Sequence, residues 1–317
     1  DENHKYVVVS DIHKESQDDI NGGIGHFYKN KSLFKDVLNH YAQSNSWTLI
    51  TVGDAEEFWY CNDMSVESNP INKVEPIIDA NEDVFKIISD KYYKYQNPRR
   101  FIKIRGNHDD IWSNSKAVNK LKSKGFPDLK VYDYALIQRN GRDILLMHGQ
   151  QFDSYNCDAN NYFGKFCSNF VGEPLDVLNE TIVDIFGEDA RIEGSTGMLG
   201  MLAPFYKHRD WSGMIEDDVA NPKILSEAMF DEQVIVNQIR KYACSIIAGH
   251  THNPKIMKDS EDETRYYINA GTSGWWEDCV WTIEITHEDI VLIAWTLDSR
   301  HNPYMYESFK LSEATVF

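Results

Sequence analysis

The stretch FIKIRGNHD, residues 101–109, carries the pattern that decides the fold of this chain. Its first part is a short apolar run of the buried-strand type, and Gly106 ends that strand. A polar group, Asn107-His108-Asp109, follows at once. Because α/β sheets place their sites at the carboxyl ends of strands, the segment predicts a buried strand with a functional loop behind it.

Four other segments repeat this arrangement of an apolar strand followed by a polar loop. Their loops are Asp11-Ile12-His13, Gly53-Asp54, His148-Gly149 and Gly249-His250-Thr251-His252. Each motif alone is more often an ordinary turn or a structural histidine. Five of them in succession, each after a strand, indicate one shared site.

The order of elements favours a layered α/β sandwich, because strands alternate with helices early and return as antiparallel hairpins late. Strands are predicted near residues 6–10, 47–52, 101–105, 131–138, 143–147, 245–248, 266–269, 280–286 and 290–297. Helices are predicted near residues 32–44, 81–95, 113–124, 160–171, 175–186 and 231–241. Because strands resume after it, the segment 152–241 reads as a helical insertion within a single domain, residues 1–317.

Apart from His108 and Asp109, the chemistry-bearing side chains of the five loops are two Asp, one Asn and four His, which offer only nitrogen and oxygen donors. This set suits Zn, Mn, Fe or Co and hardly suits a thiolate site. The five cysteines form no CxxC pair, which argues against both a disulfide framework and a cysteine zinc site. A reduced, cytoplasmic setting is therefore expected.

The five motifs in this order resemble the calcineurin-like metallophosphoesterase superfamily, and they span most of the chain, from Asp11 to His252. The resemblance implies a four-layer αββα sandwich with two divalent metal ions, Mn being expected and Zn or Fe the alternatives. It implies that the first ion takes Asp11, His13, Asp54 and His252. It implies that the second takes Asp54, Asn107, His148 and His250, with Asp54 bridging the two.

The same resemblance implies the hydrolysis of a phosphoric ester by attack of a metal-bridged hydroxide on phosphorus. His108 has no place among the metal ligands and would assist the leaving group, a role that suits an imidazole near neutral pH. Asp109 would orient His108. The alternative for His108 is a structural hydrogen bond to Asp109 or to a backbone carbonyl.

Within the superfamily, the segment 53–59 has the pattern Gly-Asp-x-x-Glu-x-Trp. This pattern is similar to that of the UDP-2,3-diacylglucosamine pyrophosphohydrolases of lipid A synthesis and their relatives, as are segments 148–153 and 267–275. His108 is a departure, because that group usually has Arg there. The resemblance implies a phosphodiesterase or pyrophosphatase acting on a small or lipid-like substrate, and the lipid A substrate itself is left open.

The insertion stands where that group carries a lid over its lipid. It contains a small basic cluster that is a candidate for binding a second phosphate, and Trp275 is a candidate for the pocket wall. The cluster is Lys207, His208 and Arg209. The alternative for these three residues is a solvated surface. Apolar surface on the insertion leaves a homodimer contact or a peripheral membrane contact open.

The net charge of −18, from 32 basic and 50 acidic residues, argues against an extended nucleic-acid surface. Small anionic phosphates remain acceptable, since two bound dications would outweigh the charges of Asp11 and Asp54. A nuclease or a phosphomonoesterase of the same superfamily is the alternative enzyme. A metal-free scaffold is disfavoured because none of the seven ligand positions is missing. No apolar run has the length of a transmembrane helix, and the first residues lack the apolar region of a signal peptide.

Overall fold

The computed structural model describes residues 4–21, 25–59, 70–94, 99–152, 232–275, 278–300 and 302–316. Within these ranges the strands are β1 (Lys5–Val9), β2 (Trp47–Val52), β3 (Phe101–Ile104), β4 (Val131–Tyr132), β5 (Tyr134–Arg139), β6 (Arg142–Met147), β7 (Ser245–Ala248), β8 (Lys255–Lys258), β9 (Tyr266–Asn269), β10 (Val280–Ile285), β11 (Ile290–Leu297), β12 (Pro303–Lys310) and β13 (Thr315–Val316). The helices are α1 (Gln17–Asn21), α2 (Phe27–Tyr41), α3 (Val74–Ala80), α4 (Glu82–Ile88), α5 (Ser115–Ser123) and α6 (Glu232–Tyr242).

The strands form two sheets. The seven-stranded sheet has the order β12-β11-β10-β1-β2-β3-β4, and the six-stranded sheet has the order β13-β8-β9-β7-β6-β5. Strands β1 to β4 run parallel, as do β6, β7 and β9. The carboxyl ends of the central strands of each sheet therefore lie together at one edge.

Alternate side chains of β1 face different cores, as the period of two in a strand requires. Val7 and Val9 pack with α2 to α5 on the outer face of the seven-stranded sheet. Val8 packs between the two sheets. On the outer face of the six-stranded sheet, Ile235 and Ile239 of α6 pack against β7 and β9. Two sheets flanked by helices confirm the predicted α/β metallophosphoesterase sandwich.

Several predicted boundaries are wrong in detail. The strand expected at 131–138 is two strands that belong to different sheets, β4 and β5, separated by Asp133. The helix expected at 81–95 ends as an α-helix at Ile88 and continues as one π-helical turn, Ser89–Tyr93. The side chain of Asn81, the residue before α4, donates to the carbonyls of Ile77 and Glu15.

The strands β8, β12 and β13 were not predicted. β12 begins at a proline, and apolar and polar residues alternate only weakly along it because most of its side chains are exposed at the sheet edge. The helix predicted at 231–241 is α6, whereas the helices predicted at 160–171 and 175–186 lie outside the described residues. Among the residues that the structure describes, no helix is both long enough and apolar enough to cross a bilayer.

Candidate metal centre

The loops after five strands meet at the shared edge of the two sheets. The loops after β1, β2 and β3 come from the seven-stranded sheet, and the loops after β6 and β7 come from the six-stranded sheet. Together they bring close to one another the seven side chains that the sequence singles out, Asp11, His13, Asp54, Asn107, His148, His250 and His252.

The first group of donors is Asp11, His13 and His252, whose ligand atoms all lie within 4.8 Å of one another. Nε2 of His252 is 3.2 Å from Oδ1 of Asp11 and 3.1 Å from Nε2 of His13. Two imidazole nitrogens and a carboxylate oxygen thus converge on one point, as they do around a divalent ion.

The second group is Asp54, His148 and His250, which meet the same 4.8 Å criterion. Nε2 of His148 is 2.9 Å from Oδ2 of Asp54 and 3.1 Å from Oδ1 of Asn107. The two groups are adjacent, because the same His148 nitrogen is 3.9 Å from Oδ1 of Asp11.

In His13 and His148, the ring nitrogen that faces away from the centre is hydrogen-bonded to an acceptor. These bonds fix both tautomers in the form that a metal ligand needs. Nδ1 of His148 is 3.0 Å from the carbonyl oxygen of Val52, and Nδ1 of His13 is 2.7 Å from Oε2 of Glu57. Carbonyl and carboxylate oxygens only accept, so Nδ1 carries the proton in both rings. Nε2 is therefore the ring atom that faces the centre, and it would bind a divalent ion once that ion displaces its proton, so the donor set fits divalent metal ions.

The electrostatics of the centre favour positive charge. Burial opposes protonation of His148, but the Asp54 and Asp11 carboxylates outweigh it and raise the pKa of His148 to about 10. Burial likewise opposes protonation of His13, but Glu57 and the same two aspartates raise the pKa of that ring to about 9. These carboxylates would attract a bound cation for the same reason.

The backbone at the centre is strained in a way that brings the donors together. Asp11, His13, Asp54, His250 and His252 all have φ between +46° and +73°. Non-glycine residues rarely adopt this left-handed region, and clusters of such residues mark functional sites. Gly106 permits the close approach of the loop after β3, because a Cβ there would overlap Oδ1 of Asp54.

A residue to which the sequence analysis assigned no role, Glu57, joins His108 to the centre. Its Oε2 accepts from Nδ1 of His13 at 2.7 Å and from Nδ1 of His108 at 2.8 Å. Burial alone would raise the pKa of Glu57, but His108 and His13 hold it well below its usual value. The Trp59 ring stacks on His108 with centroids 4.0 Å apart. Both Glu57 and Trp59 belong to the Gly-Asp-x-x-Glu-x-Trp pattern of residues 53–59, and this pattern was the sequence signal that could have identified them.

Asp109 lies elsewhere than expected. Its Oδ1 accepts from the backbone amide of Gly106 at 2.6 Å, and its Oδ2 accepts from the amide of Ala55 at 3.0 Å. The carboxylate hydrogen-bonded to the His108 ring is therefore that of Glu57, where the sequence suggested Asp109. Asp109 instead ties the loop after β2 to the loop after β3.

Of the four expected substrate contacts, Trp275 lies at the centre. Its ring centroid is 5.1 Å from that of His252 and 5.6 Å from that of His13. The other three, Lys207, His208 and Arg209, lie outside the described residues. The side chains of His108 and His252 are 16% and 13% exposed, while those of His13, Asp54 and His148 are at most 2% exposed. A substrate would therefore approach from the side of His108, His252 and Trp275.

The fold and the donor groups at its edge define a metallophosphoesterase. A family model described as calcineurin-like phosphoesterase matches residues 4–254, and the chain belongs to that family.

Three solved structures match the chain at low identity, each with a TM-score below 0.5. A dimetal phosphatase from Danio rerio is 10% identical with a TM-score of 0.48, and the match covers 98% of this chain and 99% of that chain. The phosphoesterase Yfce from E. coli is 12% identical with a TM-score of 0.38, covering 97% and 99%. A Vps29 complexed with zinc, from Entamoeba histolytica, is 10% identical with a TM-score of 0.39, covering 97% and 99%. Among curated proteins, no match to this chain was found.

Proposed function

We propose that this protein uses two divalent ions, Mn²⁺ being expected, to hydrolyse a phosphodiester or diphosphate bond in a small or lipid-like molecule. The observation that carries the proposal is the convergence of two donor groups, Asp11-His13-His252 and Asp54-His148-His250, beside a histidine that is held by a carboxylate. When bound there, divalent ions supply Lewis acidity toward a phosphoryl oxygen and lower the pKa of a water molecule.

The protein's own part is to hold the donors and to assist the leaving group. Asp54 belongs to the second donor group, and its Oδ1 also accepts from the backbone amide of His108 at 2.8 Å. This bond sets the His108 loop against the centre. Because Nδ1 of His108 is committed to Glu57, Nε2 on the opposite edge of the ring is the atom that would donate a proton to the leaving oxygen.

The substrate class is supported by the aromatic groups beside the exposed histidines. Trp275, which packs on His252, is partly exposed, so a planar or apolar part of a substrate would meet its aromatic face next to the phosphate. Trp59 is 5% exposed and supports the His108 ring from within the protein. We assign the insertion 152–241, apart from α6, which packs on the six-stranded sheet, as a lid of the same domain, and Lys207, His208 and Arg209 as contacts to a second phosphate. A diphosphate linked to a nucleoside or a lipid matches these features.

A substrate panel tests the proposal directly. The purified chain, loaded with Mn²⁺, Zn²⁺ or Fe²⁺, is given a nucleoside-diphosphate lipid, bis-p-nitrophenyl phosphate, a cyclic nucleotide, p-nitrophenyl phosphate and single-stranded DNA. Mass analysis of products formed in ¹⁸O-water identifies the phosphorus that is attacked. Turnover of the diphosphate or the diesters is expected. Cleavage of the monoester or the DNA alone would favour the alternative enzymes, and absence of turnover together with absence of metal binding would contradict the proposal.

Replacement of Glu57 by Gln is expected to weaken metal binding and turnover by about 10–100-fold, the usual effect of removing a partner of a metal-binding histidine. His13 and His108 both donate to Oε2 of Glu57, and Oε1 accepts from the Trp59 amide at 2.7 Å. A Gln side chain lacks the negative charge that strengthens the two imidazole bonds, and its NH2 group would face one of these donors. Metal affinity is measured by competition with a chromophoric chelator, and turnover on bis-p-nitrophenyl phosphate.

The matched control for Glu57→Gln is Glu284→Gln. Glu284 is a partly buried carboxylate on β10 that accepts from the hydroxyl of Tyr41 at 2.9 Å. The Glu284→Gln variant should leave the metal affinity and the turnover unchanged. Equal losses in the two variants would mean that Glu57 contributes only general stability.

A further inference from the structure

Two lysines are buried behind the metal centre. The side chains of Lys14 and Lys103 are 1% and 3% exposed. Lys14 follows the candidate ligand His13 directly, and Lys103 lies on β3 shortly before the loop that carries Asn107. Burying an ammonium group is costly unless it is paired, so the surroundings of both must compensate them.

Two carboxylates provide this compensation. Nζ of Lys14 is 3.0 Å from Oε1 of Glu56, and Nζ of Lys103 is 2.6 Å from Oε2 of the same side chain. Nζ of Lys103 is also 3.7 Å from Oδ2 of Asp109. Burial opposes ionisation of Glu56, but Lys103 and Lys14 lower its pKa to about 2. We call these four residues, Lys14, Glu56, Lys103 and Asp109, the ionic cluster; its formal charges cancel.

The ionic cluster joins three of the loops that carry the candidate ligands. Lys14 belongs to the loop of His13, and Glu56 belongs to the loop of Asp54. The two loops are also paired through their backbones, because the Lys14 amide donates to the Ala55 carbonyl at 3.1 Å and the Glu57 amide donates to the Lys14 carbonyl at 3.0 Å.

Asp109 connects the third loop, which follows β3 and carries Asn107, to the ionic cluster. Its two oxygens accept from the amides of Ala55 and Gly106, each of which is adjacent to a candidate ligand, Asp54 or Asn107. Lys103 is the one member that touches both carboxylates of the cluster. It therefore connects the Glu56 side chain with the carboxylate that fixes the loops after β2 and β3.

We propose that the ionic cluster holds the metal ligands in place, with Lys103 as a positioning residue that contacts neither substrate nor metal. The physical reason is the left-handed backbone at Asp11, His13 and Asp54, which persists only where the surroundings over-determine it. The inference rests on the proposed function, because the cluster has this role only if those side chains bind metal.

The test compares Lys103→Met with a matched control, Lys73→Met. Lys73 and Asp19 form another buried ammonium–carboxylate pair, at 3.0 Å, which ties α1 to the turn Pro70–Lys73. Each full-length variant is titrated with Mn²⁺ and with Zn²⁺ against a chromophoric chelator, and thermal unfolding is followed without metal.

Lys103→Met is expected to bind metal about 10–100-fold more weakly than the wild type, and Lys73→Met to bind it normally. Saturating Mn²⁺ should restore most of the turnover of Lys103→Met with KM unchanged. Native metal affinity in folded Lys103→Met would overturn the inference, as would equal weakening in both variants.

A second variant covers the case in which Lys103→Met fails to fold. Lys103→Met with Asp109→Asn removes one charge of each sign and leaves the buried ion pair of Lys14 and Glu56, at 3.0 Å, intact. This variant should fold and still bind metal about 10–100-fold more weakly, because Lys103 no longer connects Glu56 with residue 109 and Asn has one oxygen for the amides of Ala55 and Gly106. Native affinity in it would contradict the role of the cluster. Absence of metal binding in the wild type would instead refute the proposed function.

Discussion

Replacement of Asp54 by Asn is expected to lower turnover by about a thousandfold, since stabilisation of charge by metal ions is worth several kcal/mol. Asp54 contributes to the second donor group, its Oδ2 lies 2.9 Å from His148, and Asp11 is the other carboxylate of the centre. An amide has neither the negative charge nor the second equivalent oxygen with which a carboxylate can bridge two ions. The side chain of Asn can still accept from the His108 amide, so the fold should survive.

The measurement for Asp54→Asn is kcat on bis-p-nitrophenyl phosphate with saturating Mn²⁺, together with the number of metal ions bound per chain. Asp83→Asn is the control, because Asp83 is an exposed carboxylate paired with Lys31 and Lys35 far along the chain from the ligand loops. Turnover within tenfold of the wild type in Asp54→Asn would remove Asp54 from the metal centre.

Replacement of His108 by Asn should lower kcat by about 10²–10⁴-fold on substrates whose leaving group needs a proton, which is the usual contribution of a general acid. The effect should be much smaller with p-nitrophenyl esters, because p-nitrophenolate leaves without protonation. His108 also groups with His13 and Glu57, but Nδ1 of both rings donates to Oε2 of Glu57, so these atoms are already occupied by hydrogen bonds. Metal affinity should therefore stay near the wild-type value.

The control for His108 is His40→Asn, an exposed histidine on α2 that packs against Trp295. It should behave as the wild type on both kinds of substrate. An equal loss on both leaving groups in His108→Asn would show that His108 acts on binding or on positioning and not by proton transfer.

The sequence predicted the sandwich and the meeting of the loops, because short apolar strands followed by polar groups carry both pieces of information locally. The five motifs placed Asp11, Asp54, Asn107, His148 and His250 correctly at the ends of β1, β2, β3, β6 and β7. The role of Glu57 could not be derived in this way. Its two histidine partners stand 44 and 51 positions away along the chain, and neither spacing nor composition relates them to it.

The burial of the two lysine side chains of the ionic cluster was harder still to predict. Lys14 and Lys103 look like ordinary polar residues beside apolar runs, and only the packing of α4, α5 and β3 shows that they are enclosed. The division of the 131–138 strand between two sheets was also hidden, because residues on both sides of Asp133 have the same β-forming character. Interactions between distant segments decide such features, and a single sequence does not display them.

The division of the donors between the two sheets has a consequence for folding. Asp11, His13, Asp54 and Asn107 come from one sheet, while His148, His250 and His252 come from the other. The His250 amide donates to Asp11 at 3.0 Å across the interface. The donor group of Asp11 and the donor group of Asp54 each include a histidine from the other sheet, so metal would bind most tightly to chains in which both sheets are docked. By mass action, a free metal concentration a thousand times above Kd would add about 4 kcal/mol to the free energy of unfolding. The ion would then stabilise the docking of the two sheets. The free metal concentration around the protein would help to set how long the folded molecule persists.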